Sequence, residues 1–471
     1  MLFLESKTLN RGVETAARTA LLQELHARNI VPLIRSTRLR CFEDILLGLD
    51  HVSDMETSLA ASTESTTGEP YVRGDLFCFD DYILFLVFED DDSIRAGIVY
   101  EARTPQPFRK LDSFCHEVRG ILMSNEPQIV MSSPEWETNA AAMARGFRTF
   151  VEGQDADTLY TSMRKETMSK RILAASKLED ESARVFLRTA RNAHQEGYAA
   201  KLLTGHTESA GVPIQRLEDA GLVEREVQIS CRKTGHALFR LPNPHALAVV
   251  TVSDATCSEC GAPVADENVE EVIAPTQLAS SLLEDGSWLV SRIHFLLREM
   301  GVPEREIALG PAEGNGYGQL MANICGESFL IVTRDGDLTP AFARWANDLE
   351  IDTEAAHLVM VATGRIHKEA GVLLQNHSRR RVSGGQDFEM IIADDVATAG
   401  RELEQALERV SQRVLAEQMC VLDSSIGFSV SRLVLTRFRL MHAAQPKEAE
   451  VVAEPEFVPS APLSLAAAHE G

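Results

Sequence analysis

From Gly12 to Arg28 apolar residues recur at helical spacing (Val13, Ala16, Ala20, Leu21, Leu25), which predicts an amphipathic helix running into "IVPLI" and "FEDILLGL". The Ser-, Thr- and Gly-rich stretch 56–70 predicts a loop. Three runs, "DLFCF", "YILFLVF" and "RAGIVYEAR", then read as strands, the last two joined by an acidic turn from Glu89 to Asp92. A helix around Phe114 to Met123, a strand at "PQIVMSS" and a helix at "PEWETNAAAMARGF" complete a mixed α/β unit.

The middle of the chain, Tyr160 to Gly197, reads as helical and locally basic, with Arg164, Lys165, Lys170, Arg171, Lys177, Arg184, Arg188 and Arg191. Farther on, Leu283, Trp288, Leu289, Ile293 and Leu297 suit one buried helix face ahead of a strand. Two antiparallel strands turning at Gly326, a helix, a buried strand ending at Thr363-Gly364, another helix and a last strand give an α/β/α layer order. Beyond Asp395, Leu403, Leu407, Val410 and Val414 stand at heptad-like spacing between charged flanks, which predicts a helix packed on a neighbour or on a second copy of the chain. The tail from Pro446 is rich in Ala, Pro and Glu and is expected to be disordered.

Composition bounds the class. A chain of 471 residues that is 44% hydrophobic can bury several cores, about two to four domains. Its 46 basic and 70 acidic residues give a net charge of −24, which repels nucleic acid and acidic membranes at long range. A DNA contact therefore needs a local basic patch, and the densest is Arg379, Arg380 and Arg381 after His377. Eight cysteines without small-scaffold spacing, no basic signal-peptide start and no membrane-length apolar run make a cytoplasmic protein with reduced or metal-bound thiols the expectation.

Those thiols carry the strongest chemical signal. In "ATCSECGAPVADE", Cys257 and Cys260 form a Cys-x-x-Cys knuckle, and Gly261 lets the backbone turn tightly enough for both thiolates to reach one ion. Upstream, "ISCRKTGHALFRLP" offers Cys231, but Thr234 stands where a second knuckle would put its last thiol. His236 is then the expected fourth ligand of a structural zinc ribbon.

Two resemblances extend the picture. "RLEDAGLV" resembles the end of the recognition helix in bacterial winged-helix proteins, with Gly221 at the left-handed position after the helix. The resemblance implies either DNA reading or a small helical platform; Pro213 in "AGVPI" delays the helix start where DNA-reading members present polar side chains. From Gly286 to Asp394 the order of elements resembles the PD-(D/E)XK restriction-endonuclease-like superfamily. Active members hold Mg²⁺ through an acid on the second core strand and a Glu-x-Lys pair on the third. Matching the turn Gly326-Glu327 puts Gln319, Val332 and Arg334 at those positions, and an amide and an aliphatic side chain cannot hold a hard cation. The resemblance thus implies a catalytically dead lobe. Asp335 and Asp337, around Gly336, read as an exposed turn, and His367 as a polar helix start.

The N-terminal unit resembles a more diverged copy of the same lobe, with Glu101-Ala102-Arg103 in place of Glu-x-Lys and with Glu89 and Asp90 as the nearest further acids. Arg holds phosphate well but does not readily give up a proton. The Gly-rich run Gly314 to Gly318 lacks the Lys-Ser/Thr and helix of a phosphate loop, and nucleophile-elbow, His-Glu-x-x-His and EF-hand patterns are missing.

The expected architecture is multidomain α/β: restriction-endonuclease-like α/β/α lobes at 1–155 and 269–395, flanking a helical winged-helix-like segment at 156–230 and a zinc ribbon at 231–268, then C-terminal helices at 396–443 and a tail at 444–471. The expected function is a non-catalytic nucleic-acid-associated or assembly protein, with DNA or a second copy as partner and no membrane. A metal-dependent nuclease using Glu101 and a winged-helix transcription regulator are the alternatives.

Overall fold

Strand β3 (Tyr82–Glu89) is apolar from Ile83 to Phe88 without a break, so both faces of its sheet have to be covered. The computed structural model describes residues 2–37, 73–89, 93–125, 135–138, 144–152, 168–196, 214–242, 245–252, 255–284, 286–310, 316–426 and 429–444. Among them, thirteen α-helices and three sheets form a multidomain α/β protein.

The first sheet adds β1 (Leu2–Leu9), β2 (Gly74–Cys78), β4 (Ser93–Glu101) and β5 (Glu137–Thr138), in the antiparallel order β2-β3-β4-β1-β5. Leu84, Leu86 and Phe88 face helices α1 (Thr15–Ala27) and α2 (Pro107–Asn125). Ile83, Phe85 and Val87 share a core with Leu415, Met419 and Leu422 of α12 (Val396–Ile426) and with Val430, Val434 and Phe438 of α13 (Val430–Ala444). The far end of the chain therefore supplies the second cover.

The second sheet contains β9 (Ile307–Leu309), β10 (Tyr317–Ile324), β11 (Glu327–Arg334), β12 (His357–Ala362) and β13 (Met390–Ala393). Strands β9 to β11 are antiparallel neighbours, and β12 and β13 continue the sheet in parallel. One face packs on α3 (Arg145–Glu152), α10 (Pro340–Thr353) and α11 (Lys368–Ser383). The other packs on α8 (Gln277–Glu284), α9 (Ser287–Glu299) and the first half of α12, which gives the expected α/β/α layering.

Between the lobes lie α4 (Met168–Lys177), α5 (Glu181–Glu196), α6 (Ile214–Asp219), α7 (Ala246–Val252) and a third sheet of β6 (Val223–Ser230), β7 (Ala237–Leu241) and β8 (Asn268–Pro275) in the order β7-β6-β8. Gly221 takes φ +71° after α6, as the sequence predicts. Strand β6 pairs on both sides, with β7 and β8, so the boundary expected at 230/231 falls inside one sheet.

Two basic residues of this segment, Arg184 and Arg188, serve docking. Arg184 and Arg188 of α5 lie 3.8 and 2.5 Å from Asp335, which also accepts from Trp288 Nε1 at 2.8 Å and Thr363 Oγ1 at 2.9 Å. Only 4% of the Asp335 side chain is exposed, a correction to the exposed turn expected there, because three hydrogen-bond donors and the Arg184 charge replace the water it loses. Asp337 is half exposed and accepts from the Arg365 N–H at 2.8 Å.

Other differences have equally local causes. The N-terminal run Leu2–Leu9, unassigned from sequence, is a central strand, because β4 offers it a complete antiparallel partner from Leu2↔Glu101 to Leu9↔Ile94. In the second lobe the corresponding neighbour of the antiparallel strands is the parallel strand β12, so the two lobes do not share one plan at this position. Part of the helix expected at 134–147 is instead β5, pairing with Lys7 and Thr8. Residues 33–37 form a helical turn whose Ile34 and Arg35 N–H groups donate to Asp75 at 2.7 and 2.9 Å. The strand expected at 127–133, the loop at 56–70 and the tail from Pro446 lie outside the described residues. No helix among the described residues is long and apolar enough to cross a membrane.

The heptad-like residues Leu403, Leu407, Val410 and Val414 are 1%, 0%, 1% and 7% exposed within the single chain, so the face that suggested a second copy is already covered. A helix of 31 residues is about 46 Å long, enough to lie across both sheets. Met419→Ala, at a fully buried point where α12 meets the first sheet, is expected to cost about 2–5 kcal/mol, measured as a lower denaturant midpoint.

Candidate metal centre

Two loops of the third sheet fold alike. At the end of β6, the Cys231 N–H donates to His236 O at 2.8 Å and the Gly235 N–H donates to Cys231 O at 2.7 Å. In the second loop, the Cys257 N–H donates to Ala262 O at 2.7 Å and the Gly261 N–H to Cys257 O at 2.9 Å. Both turns need a left-handed residue four positions after the first cysteine, and Gly235 (φ +73°) and Gly261 (φ +72°) supply it without a Cβ clash. Thr234 and Cys260 occupy the same offset in their loops.

The fourth group arrives by strand register. Antiparallel pairing of β6 with β8 sets Ser230 opposite Asn268, which brings the preceding residue, Glu267, beside Cys231. Potential ligand atoms of Cys231, Cys257, Cys260 and Glu267 all lie within 4.8 Å of one another. The tetrahedron of a zinc ion with bonds of about 2.3 Å has edges of about 3.8 Å, so small shifts, some inward and an outward one at the Cys260–Glu267 hydrogen bond, fit the set to a metal. Cys231, Cys257 and Glu267 are buried and Cys260 is half-buried.

Hydrogen bonds fix the carboxylate. Glu267 Oε2 accepts from the Arg232 N–H, and Oε1 lies 3.0 Å from Cys260 Sγ, which donates to it. This contact holds the Glu267 carboxyl below its usual range and pushes the Cys260 thiol up to about 12. The Thr234 hydroxyl and N–H, directed at Cys231, bring that thiol down to about 7. An arriving metal would thus meet one thiol that ionises readily and displace a proton held between Cys260 and Glu267.

His236 stands apart from this cluster. Its side chain is 76% exposed, with Nδ1 3.6 Å from Glu259, and it serves the loop through its carbonyl instead. Glu267 takes the fourth place. Sequence spacing does not reveal it, because the approach of Glu267 depends on the pairing of β6 with β8.

The other candidate residues fall elsewhere. Gln319 and Val332 face each other across β10 and β11, 6% and 0% exposed. Arg334 donates to Thr339 Oγ1 at 3.0 Å and lies over the rings of Tyr317 and Phe342, at 4.9 and 5.4 Å from their centroids. Trp345 stacks on the same two rings at 5.5 and 5.4 Å. Aromatic packing surrounds this position.

In the first lobe Glu89 pairs with Arg95 at 2.9 Å at the hairpin end of β4, whereas Glu101 closes the strand's other end. Eight residue steps of about 3.3 Å separate these ends by about 26 Å, too far for one metal. Arg103 is exposed and Asp90 lies outside the described residues. Ala102, between Glu101 and Arg103, meets the second lobe: a Cβ at Gly301 would lie 2.1 Å from its own. Of the basic run, Arg379 and Arg380 are exposed, but Arg381 lies 2.8 Å from the fully buried Glu350 and donates to Ala355 O at 3.0 Å.

Comparison with protein-family models, with curated proteins and with solved structures finds no match to this chain.

Cys257→Ser is expected to abolish stoichiometric metal binding and Glu267→Gln to weaken it, while His236→Ala leaves one metal per chain. Elemental analysis and chelator competition read all three. Affinity should also fall as pH is lowered, since the thiols bind metal as thiolates.

Proposed function

We propose that this chain is a non-catalytic nucleic-acid-associated or assembly protein in which zinc, held by Cys231, Cys257, Cys260 and Glu267, clamps the middle segment. Three thiolates favour a soft or borderline ion, and four protein ligands, three of them buried, suit structural zinc better than a catalytic zinc with an open position. Zinc binding then contributes folding energy to the third sheet.

The absence of catalysis rests on the opposed pair Gln319 and Val332. In the restriction-endonuclease-like lobe we infer for the second sheet, these are the positions that would carry metal-binding charge; both side chains are buried, and Val332 sits in the apolar core of that face. The first lobe's carboxylates stand at opposite strand ends, which argues against Glu101 as the centre of a nuclease. The helices before β6 and the β6–β7 hairpin support a winged-helix reading in which the hairpin tip is one of the two metal loops. Assembly is the stronger half of the proposal. Arg184, Arg188 and Arg381 are engaged inside the chain, and the net charge of −24 opposes phosphate binding.

The full chain with Mg²⁺ or Mn²⁺ is expected to leave single- and double-stranded DNA intact. Cleavage abolished by Glu101→Ala would overturn the non-catalytic reading. DNA retention at low salt should fall in the double variant Arg379→Ala/Arg380→Ala, with a shallower salt dependence by about two phosphate contacts. An unchanged affinity removes that patch from any nucleic-acid interface.

A further inference from the structure

The lobes meet around a cavity of about 90 Å³ lined by Glu5, Tyr100, Glu306, Asn323, Cys325 and Gln418, among others. Tyr100 is 4% exposed, and its buried hydroxyl has no hydrogen-bond partner among the described residues. Glu306 is anchored: Oε2 accepts from Asn323 Nδ2 at 2.7 Å, and Oε1 lies 3.2 Å from Arg305 Nε. Glu5, on β1 of the other lobe, has its nearest cation in the same Arg305, at 3.7 Å. That guanidinium is shared, 53% exposed, and lies over the Phe108 ring at 3.7 Å from its centroid.

The remaining groups around the cavity do not offset the second carboxylate. Tyr100 is kept neutral by burial, and burial pushes the Cys325 thiol up to about 12. Helix α12 lines the space with Val414 and Gln418, both uncharged. Glu327, at the start of β11, is engaged by His357 at 2.6 Å and by Arg413. Two carboxylates from different lobes therefore line one small cavity with one shared arginine.

We propose that this seam is a proton-operated latch: a proton on Glu5 removes the repulsion with Glu306 and closes the lobes, and its loss loosens them. Burial first and Glu306 second raise the Glu5 carboxyl from 4.5 to about 7, against the pull of Arg305. The raised value fixes the sign. The closed form takes up a proton that the open form binds less tightly, so the stabilisation is complete below about 4.5 and disappears as pH rises through about 7. Within that window the opening equilibrium shifts by up to about tenfold per pH unit. This latch is independent of the metal centre and of the function proposed above.

Hydrogen–deuterium exchange of the full chain at pH 6 and pH 8, corrected for intrinsic exchange, tests it. Peptides covering β1 and residues 301–307 are expected to be several-fold better protected at pH 6 in the wild type. Glu5→Gln should make protection at these peptides independent of pH and close to the wild-type value at pH 6. Glu306→Gln, which keeps the Asn323 side of the seam filled, should move the loss of protection to lower pH. Equal wild-type protection at both pH values, or a pH dependence that survives in Glu5→Gln, would overturn the latch.

Discussion

The dependence of the first sheet on the far end of the chain organises this molecule. Ile83, Phe85 and Val87 cannot face water, and α1 and α2 already occupy the opposite face. Helix α12 supplies Leu415, Met419 and Leu422 to this core, while its first half packs Leu403, Leu407 and Val410 on the second lobe. One helix therefore packs on both lobes, and polar contacts along it reinforce the arrangement. Arg413 binds Glu327 and lies 3.2 Å from Asp387, Arg409 makes a two-pronged contact with Glu389 at 2.8 and 2.9 Å, and Ser411 donates to the carbonyl of Leu2. With the helix in place, β1 has to lie close to the β10–β11 turn. The close approach of Ala102 to Gly301 and the seam around Glu5 follow from that proximity.

The middle segment is held by a different balance. Asp335 would be costly to bury alone, and Arg184 would be costly to leave without an acid. Together with Arg188, Trp288 and Thr363 they form a network, and the Arg184 guanidinium also lies 4.9 Å from the Trp288 ring centroid. Charge that reads from sequence only as a local basic excess thus becomes the orientation device of α5. Apolar burial of Phe186 and Leu187 in the core shared with Leu289 and Ile293 supplies the non-directional part of the same contact.

Elements whose pattern is local were legible in the chain: β2, β3 and β4, the buried stripe of α9 with Trp288, Leu289 and Ile293 at 0% exposure, the layering of the second lobe and the turn at Gly221. Features set by distant pairing were hidden. Leu2–Leu9 becomes a strand because residues 94–101 lie beside it, and β5 is too short to carry a period. The heptad-like face of α12 was legible as apolar, but periodicity does not say whether the partner is the same chain or another. In the metal centre, Cys231, Cys257 and Cys260 were recognisable from loop chemistry. Glu267 was not, because a carboxylate at a strand start is ordinary until register carries it to three thiols.

That replacement of histidine by glutamate changes the chemistry expected of the centre. A neutral imidazole adds no charge to three thiolates, whereas Glu267 leaves the complete set doubly negative around a divalent ion. Such a centre needs nearby positive charge, and Arg232 supplies both a backbone N–H to Glu267 and an electrostatic pull on it. Thr234 contributes differently: its hydroxyl stabilises the Cys231 thiolate from the position where the other loop carries a ligand. One loop therefore brings two sulfurs, and the other brings one sulfur and a polar residue that supports it. Glu267, just before β8, completes the set, so a metal held there would tie the β6–β7 hairpin to β8 rather than close a hairpin on itself. Such a cross-strand tie would resist separation of the sheet, which is the mechanical role the proposed clamp requires.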